Sequence, residues 1–241
     1  MKQLAIIRTR GKILPETIRS LEILNLPFKV EKHPKNMTFA QFHNKLFSEA
    51  KSDTIYVMVD DDVYVNDGVF KMIDFLKNNS DYVMATGYST PNNNKIKRVY
   101  QKCFIQPITF ACCAIKGSFL NKVKMPDYLE CSEDDYCRKV ANKLNLKYKI
   151  LNESFIHFSL DWNEKLLRGL RWHISNGRLH YENNGNKLDE ICVFPYTNKG
   201  VKEFANRITK KVFQIDRKYA LKVKQSILDG YFNYKKYLVN R

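Results

Sequence analysis

Three adjacent carboxylates, Asp60, Asp61 and Asp62, follow an apolar, β-branched run and together offer oxygen atoms that can bind a metal ion. The run begins at Thr54 and reads TIYVMV, and apolar residues resume at Val63. Like charges at the end of a buried strand repel one another with little screening, so we expect a positive charge among them. Mg²⁺ or Mn²⁺ suits this position because each takes carboxylate oxygens and completes its shell with water and phosphate. The alternative is a solvated acidic turn.

Strands and helices alternate along the chain before the aspartates. Residues 4–8 and 27–30 are predicted strands, Pro15 opens one helix, and a capping-box sequence at Thr38 opens another. This order predicts a Rossmann-like, mostly parallel α/β sheet flanked by helices. Ligands of such sheets bind at the carboxyl ends of the strands, which is where the turn at residues 9–11 and the aspartates fall.

The sequence VDDDVYV after a hydrophobic strand resembles the DxD motif of GT-A glycosyltransferases, particularly the inverting family 2 type. The resemblance implies metal-dependent transfer of a sugar from a nucleotide-sugar donor to an acceptor hydroxyl, with inversion. Asp60 and Asp62 take the DxD positions and would hold Mn²⁺ or Mg²⁺, with Asp61 between them beside the donor. UDP-, GDP- and dTDP-sugars are not distinguished.

The same family binds the base and ribose with residues after the first strand, near the end of the second strand and on the next helix. The matching positions are Arg8, Thr9, Glu31 and Asn44. Many members have Asp where this chain has Glu31, which leaves the base undetermined. For Arg8, a solvated loop is an equal alternative to diphosphate contact. Asn44 is alternatively a polar residue on a helix surface.

A second acidic cluster follows Ser132. Taken alone, it predicts a well-capped helix, because Ser favours the N-cap and acids favour the first turn. Family 2 enzymes, however, carry a Glu-Asp pair at the start of this helix, and the Asp is the general base. Asp134 takes that position and Glu133 is the fallback. Such a group is required because a sugar hydroxyl is a poor nucleophile until a carboxylate takes its proton.

His157 lies between apolar neighbours after a predicted strand. A histidine in such a setting is more often a hydrogen-bonded core residue than a ligand. Many GT-A enzymes place a histidine after the Glu-Asp helix, where it completes the metal shell or contacts the diphosphate, and the resemblance favours that role for His157. The other four histidines have no comparable context: His33, His43, His173 and His180.

Two regions differ in composition. Residues 1–160 carry the resemblance and form the predicted catalytic domain, while residues 161–241 form a predicted basic helical region. Between residues 199 and 241, lysine and arginine strongly outnumber acids, and apolar residues recur at helical spacing. Such helices can dock on an anionic membrane, which would suit a lipid-linked or other glycan acceptor. The alternative, which the residues favour slightly, is packing on the catalytic domain with a solvated basic face.

Charge and composition set further limits. The net charge is +16, and no apolar run approaches the ~18 residues of a membrane span. A strand is predicted almost from Met1, so we expect no secretory leader and a protein of the cytoplasm or of the cytoplasmic membrane face. Six cysteines without a CxxC pair predict reduced thiols.

Two other classes of protein explain less. A nucleotidyltransferase or another metal-dependent phosphate enzyme needs the aspartates but leaves Glu133, Asp134 and His157 unexplained. A nucleic-acid-binding protein would explain the positive charge. Nucleic acid is nevertheless not expected as a partner, because a carboxylate cluster repels phosphate unless a cation intervenes.

Overall fold

A computed structural model describes part of the chain. The described residues are 1–91, 109–127, 129, 133–158, 167, 170–171, 174–175, 177–179, 182, 198–214 and 216–238. They fall into two compact units, one holding those up to Phe158 and the other those from Leu167 onward.

The first unit is built on a mixed sheet whose described strands follow the order β2-β1-β3-β6-β5-β7-β4. These strands are β1 (Lys2–Thr9), β2 (Phe28–Lys32), β3 (Thr54–Asp60), β4 (Val63–Tyr64), β5 (Tyr82–Pro91), β6 (Cys112–Lys116) and β7 (Lys147–His157). Five of these seven strands point the same way, and β4 and β6 run against them. The predicted α/β class with a mostly parallel sheet is therefore confirmed.

Helices flank this sheet, and their starts follow from local sequence. The described helices of the first unit are α1 (Pro15–Ile23), α2 (Phe39–Ser48), α3 (Gly68–Asn78), α4 (Gly117–Leu120) and α5 (Glu133–Lys143). The predicted capping box is present at α2, where Thr38 Oγ1 accepts from the backbone of Gln41 and Gln41 Oε1 accepts from the backbone of Thr38. Two otherwise unsatisfied N–H groups are thereby paired.

The centre of the sheet is apolar and sets the position of the polar residues at its edge. Val57 and Val59 on β3 and Ile7 on β1 are fully buried, and each side chain of this size contributes about 1.5–3 kcal/mol on burial. In the parallel register, Arg8 is level with Glu31 on one side and with Asp60 on the other. The polar ends of β1 and β3 therefore lie side by side.

Several element bounds differ from those expected. The sequence from Ser89 to Ile96, rich in Asn and with a Pro, favours a surface loop, but it is strand as far as Pro91, and its remainder lies outside the described residues. Strand β7 extends to His157, so this histidine ends a long strand rather than following a short one. Residues 161–173, which begin the predicted basic helical region, lie largely outside the described residues.

The second unit is helical in its described part. Its helices include α6 (Asn198–Phe213), α7 (Arg217–Phe232) and α8 (Tyr234–Leu238). The apolar stripe of α6 packs against α7 in a core that includes Phe204, Ile208 and Val223. Asp216 caps α7 by accepting from the backbone N–H of Tyr219 at 2.9 Å. Among the described residues, no helix combines the length and apolarity needed to cross a bilayer.

Candidate active site

The three aspartates at the end of β3 each have a different side-chain partner. The pairs are Asp60 Oδ1 with Arg8 Nη2 at 2.6 Å, Asp61 Oδ2 with Thr9 Oγ1 at 2.7 Å, and Asp62 Oδ1 with His157 Nε2 at 2.8 Å. The carboxylates are thus directed to three neighbours, which separates their charges. Part of the positive charge expected among them belongs to the protein itself.

Arg8 is a buried link between four segments of the first unit. Its Nη2 donates to Asp60 at 2.6 Å and to the carbonyl of Phe110 at 3.0 Å. Its Nη1 donates to Glu133 Oε1 at 2.6 Å and lies 3.1 Å from His43 Nε2. The Arg8 side chain is only 8% exposed. The alternative of a solvated loop arginine is therefore wrong.

The ionisation of this cluster follows from burial and pairing. Burial alone would lower the pKa of Arg8, but the charges of Asp60 and Glu133 outweigh it and raise that pKa. Burial would raise the pKa of Glu133, and the Arg8 charge reverses this and holds the pKa below its usual value. Glu133 is therefore an anion that already accepts a strong charge-assisted hydrogen bond, which makes it a poor general base.

His43 completes the cluster as a neutral ring. Burial lowers the pKa of His43 to about 4. Its Nδ1 lies 2.9 Å from the carbonyl of Phe39, and because a carbonyl only accepts, Nδ1 carries the proton. Nε2 is left as the acceptor for Arg8. No sequence motif singles out His43, although its spacing from Phe39 and Leu46 places all three on the inner face of α2.

A cavity of about 250 Å³ opens beside this cluster at the carboxyl ends of β1, β2 and β3. Its lining residues are Arg8, Thr9, Arg10, His33, Phe39, Phe42, His43, Asp60, Asp61 and Glu133. One wall is aromatic, since the rings of His33 and Phe42 stack with centroids 4.9 Å apart. Arg10 lies at the same wall, donating to His33 Nδ1 at 3.1 Å and lying 5.7 Å from the Phe39 ring. Flat rings beside cations suit a planar, anionic ligand.

Two predicted nucleotide-binding residues do not line this cavity. Glu31 is paired with Lys29 at 2.6 Å. The Asn44 side chain donates to the carbonyl of Met125 at 2.8 Å and accepts from its N–H at 2.7 Å, so it joins α2 to the segment after α4. Both polar atoms of the Asn44 amide are therefore engaged within the protein. His33, two residues beyond Glu31, reaches the cavity instead.

Asp134 lies beside Glu133 in the first turn of α5, with 8% of its surface exposed. It is close enough for its charge to raise the pKa of Arg8. The cavity is lined by Glu133 and not by Asp134. Asp134 and Glu133, the predicted general base and its fallback, therefore have different surroundings.

Asp62 and His157 form the pair best suited to a metal. Their side chains are 19% and 23% exposed, and the pairing of β4 with β7 sets Val63 opposite His157. A carboxylate oxygen beside an imidazole nitrogen is a donor set that Mn²⁺ accepts. Asp60, the third predicted ligand, is directed to Arg8 instead. Within the described part of the chain, no three His, Cys, Asp or Glu side chains are grouped to hold a metal unaided.

Comparisons with known proteins give weak similarity to solved structures. A crystal structure of A197 from STIV is 16% identical, covers 66% of this chain and 87% of its own, and has a TM-score of 0.46. Residues 1–349 of S. aureus TarS in complex with UDP are 14% identical over 98% of this chain and 90% of that one, with a TM-score of 0.47. The same TarS segment with UDP-GlcNAc is 14% identical, covers 100% and 93%, and scores 0.43. No family model and no curated protein matches the chain.

Proposed function

We propose that the chain is a metal-dependent GT-A-type glycosyltransferase that moves a sugar from a nucleotide-diphosphate donor to an acceptor hydroxyl. The observation that supports this most is the gathering of one aromatic-walled cavity and two carboxylate motifs at the carboxyl edge of the sheet. Asp60 and Asp61 belong to the first motif and Glu133 to the second. Ligands of open α/β sheets bind at this edge.

The cavity is the proposed site of the nucleotide. The stacked rings of His33 and Phe42 offer a face for a base, and Arg10 offers a cation for a phosphate. Thr9 Oγ1 also accepts from the backbone N–H of Gly11 at 2.9 Å, which fixes the turn beside Asp61. A fixed turn lowers the entropy lost when a ligand is bound.

Asp62 and His157 are the proposed protein ligands of Mn²⁺ or Mg²⁺. Two protein donors fit a cation that keeps several waters and takes further oxygens from a bound diphosphate. Such a cation, when bound, neutralises the diphosphate and makes it a better leaving group. The imidazole of His157 favours Mn²⁺ over Mg²⁺, because Mg²⁺ prefers oxygen ligands.

Asp134 is the proposed general base. As the acceptor oxygen bonds to the anomeric carbon, its proton passes to the Asp134 carboxylate, and the bond from that carbon to the diphosphate oxygen breaks. The electron pair leaves with the nucleoside diphosphate. A single displacement of this kind inverts the anomeric centre. Asp134 need not line the nucleotide cavity, since it serves the acceptor.

The acceptor is proposed to be a glycan or a lipid-linked sugar, met in the cytoplasm or at the cytoplasmic membrane face. The second unit presents apolar side chains among cations, because Phe213 and Leu221 are 45% and 59% exposed and the Arg217 guanidinium lies 5.2 Å from the Phe213 ring. Basic helices with exposed apolar residues bind anionic bilayers. This surface is the proposed point of membrane association.

The test is to incubate the wild-type protein with a panel of UDP-, GDP- and dTDP-sugars and Mn²⁺, and to identify the slow hydrolysis products. UDP-GlcNAc belongs in the panel. Release of free sugar and nucleoside diphosphate would support glycosyl transfer. Release of sugar phosphate and nucleoside monophosphate would instead indicate attack at phosphorus, and no turnover of any donor would contradict the proposal.

A further inference from the structure

Arg8 uses its guanidinium to join two motifs that lie far apart in the sequence. Asp60 ends β3 and Glu133 begins α5, and each accepts from Arg8 at 2.6 Å. The Arg8 cation thus lies between Asp60, whose side chain is 36% exposed, and Glu133, whose side chain is 15% exposed. The Arg8 charge favours the charged form of Glu133, whose pKa it holds below the usual value.

The remaining bonds of Arg8 leave its terminal nitrogens little capacity for a ligand. Nη1 and Nη2 each have two contacts, and Nε is buried without a hydrogen-bond partner among the described residues. Arginine has five N–H donors in a rigid fork, four of them on Nη1 and Nη2. Arg8 is therefore occupied by the protein, although it lines the cavity.

We propose that Arg8 is a positioning residue that fixes the first turn of α5 by binding Glu133, so that the neighbouring Asp134 is presented as the base. Glu133 is then a permanent counter-ion and not an alternative base. This inference rests on the proposed glycosyl transfer. It adds that turnover depends on the contact between Arg8 at the end of β1 and Glu133 at the start of α5, which neither substrate needs to touch.

The kinetic test uses Arg8→Lys, because lysine keeps the charge but lacks the fork that reaches Asp60 and Glu133 together. Nucleotide affinity is measured by calorimetry with UDP in Mn²⁺, and turnover by hydrolysis of the best donor in the panel. We expect affinity to stay within about threefold while kcat falls by about a hundredfold, the size of loss that a displacement near 1 Å produces. Arg19→Met, at an exposed position of α1, is the matched control and should change neither quantity.

A second experiment tests the charge pairing of Arg8 with Glu133. It compares Arg8→Met, Glu133→Gln and the double variant by thermal unfolding. We expect each single substitution to lower Tm, and Glu133→Gln to raise Tm when it is added to Arg8→Met, because it removes a buried charge that has lost its partner. The double variant should bind UDP normally and still turn over slowly. Restored turnover in a stable double variant would show that the contact serves folding alone and would overturn the proposal.

Other outcomes are equally decisive. Loss of UDP affinity with unchanged kcat in Arg8→Lys would show that Arg8 contacts the nucleotide instead of positioning α5. Unchanged affinity and unchanged kcat would show that Arg8 has no part in turnover. Failure of both Arg8→Lys and the double variant to fold would contradict a positioning role that is separate from folding. If the wild-type protein binds and hydrolyses no nucleotide sugar, the proposed function fails and this inference fails with it.

Discussion

Arg8 and Asp60 stand level on neighbouring parallel strands, and the guanidinium of Arg8 donates to the Asp60 carboxylate at 2.6 Å. One of the three adjacent aspartates is thus compensated by a side chain of the protein. The other two are bound by Thr9 and His157. Of the three aspartates, Asp62 beside His157 is therefore the one best placed to bind a cation at the end of β3.

The first prediction concerns the general base. Asp134→Asn keeps the size of the side chain but cannot accept the acceptor proton, so transfer should fall by about two to four orders of magnitude with donor affinity nearly unchanged. Initial rates and calorimetry with the same donor measure both quantities. Asp127→Asn, an exposed position between α4 and α5, is the control.

Glu133→Gln separates the two acidic neighbours. It should lower the rate far less than Asp134→Asn does, because Gln still offers an oxygen to Arg8 Nη1. A normal rate in Asp134→Asn together with a collapsed rate in Glu133→Gln would show that the base had been assigned one residue too late.

A second prediction concerns the aromatic wall of the cavity. His33→Ala removes the ring stacked on Phe42 and the acceptor for Arg10. An aromatic stack contributes about 0.5–1.5 kcal/mol, so affinity for a nucleoside diphosphate should fall by about threefold to tenfold. Affinity for pyrophosphate, which has no base, should change less. An equal loss of affinity for both ligands would show that the nucleotide base does not stack on the His33 ring.

The third prediction concerns acid stability. Burial lowers the pKa of His43 to about 4 in the folded protein, against about 6.5 when unfolded. The unfolded state thus binds a proton that the native state rejects, so the stability from this residue is complete above about pH 6.5. It should be lost as pH falls from there toward 4, by about 1.4 kcal/mol per pH unit.

His43→Gln cannot titrate and should flatten that part of the profile. Denaturant unfolding at a series of pH values measures the slope for both proteins. The variant is expected to be less stable at pH 7, so the comparison is of slopes and not of absolute free energies. An unchanged slope would show that His43 is not the group that takes up the proton.

A fourth prediction concerns the second unit. If Phe213 and Leu221 enter an anionic bilayer beside Arg217, replacing both apolar residues with Ser should reduce sedimentation with anionic vesicles. Each nearby Lys or Arg should add about 1 kcal/mol of attraction that high salt weakens. Donor hydrolysis should be unaffected. Vesicle binding that persists in the double Ser variant would show that Phe213 and Leu221 do not enter the bilayer. Vesicle binding that does not change with salt would show that the cations do not contribute to it.

The sequence predicted the parts of the fold that depend on local patterns. The capping box at Thr38, the helical stripe of α6 and the apolar strand before Asp60 are each encoded within a few neighbouring residues. The role of Arg8 is not local, since its partner Glu133 lies 125 positions away. A long side chain at the end of a strand looks the same in sequence whether it meets solvent or a buried carboxylate.

The cavity illustrates the same limit. His33 and Phe42 belong to different elements, and their stacking depends on how α2 packs at the end of β2. The resemblance predicts Asn44 at the nucleotide, yet both polar atoms of its amide are bound to the backbone of Met125. In each case a tertiary contact, and not the residue type, determines what the side chain can reach.

The proposed function requires that a metal held by Asp62 and His157 bind a nucleoside diphosphate, and calorimetric titration of UDP and GDP measures this binding. Wild-type protein should bind at least one of them in Mn²⁺ and lose most of that affinity in EDTA. Asp62→Ala and His157→Ala should each abolish the metal-dependent part without unfolding, while Asp67→Ala, exposed and without a capping hydrogen bond, should leave it intact. Metal-dependent binding that persists unchanged in Asp62→Ala would show that Asp62 does not hold the metal.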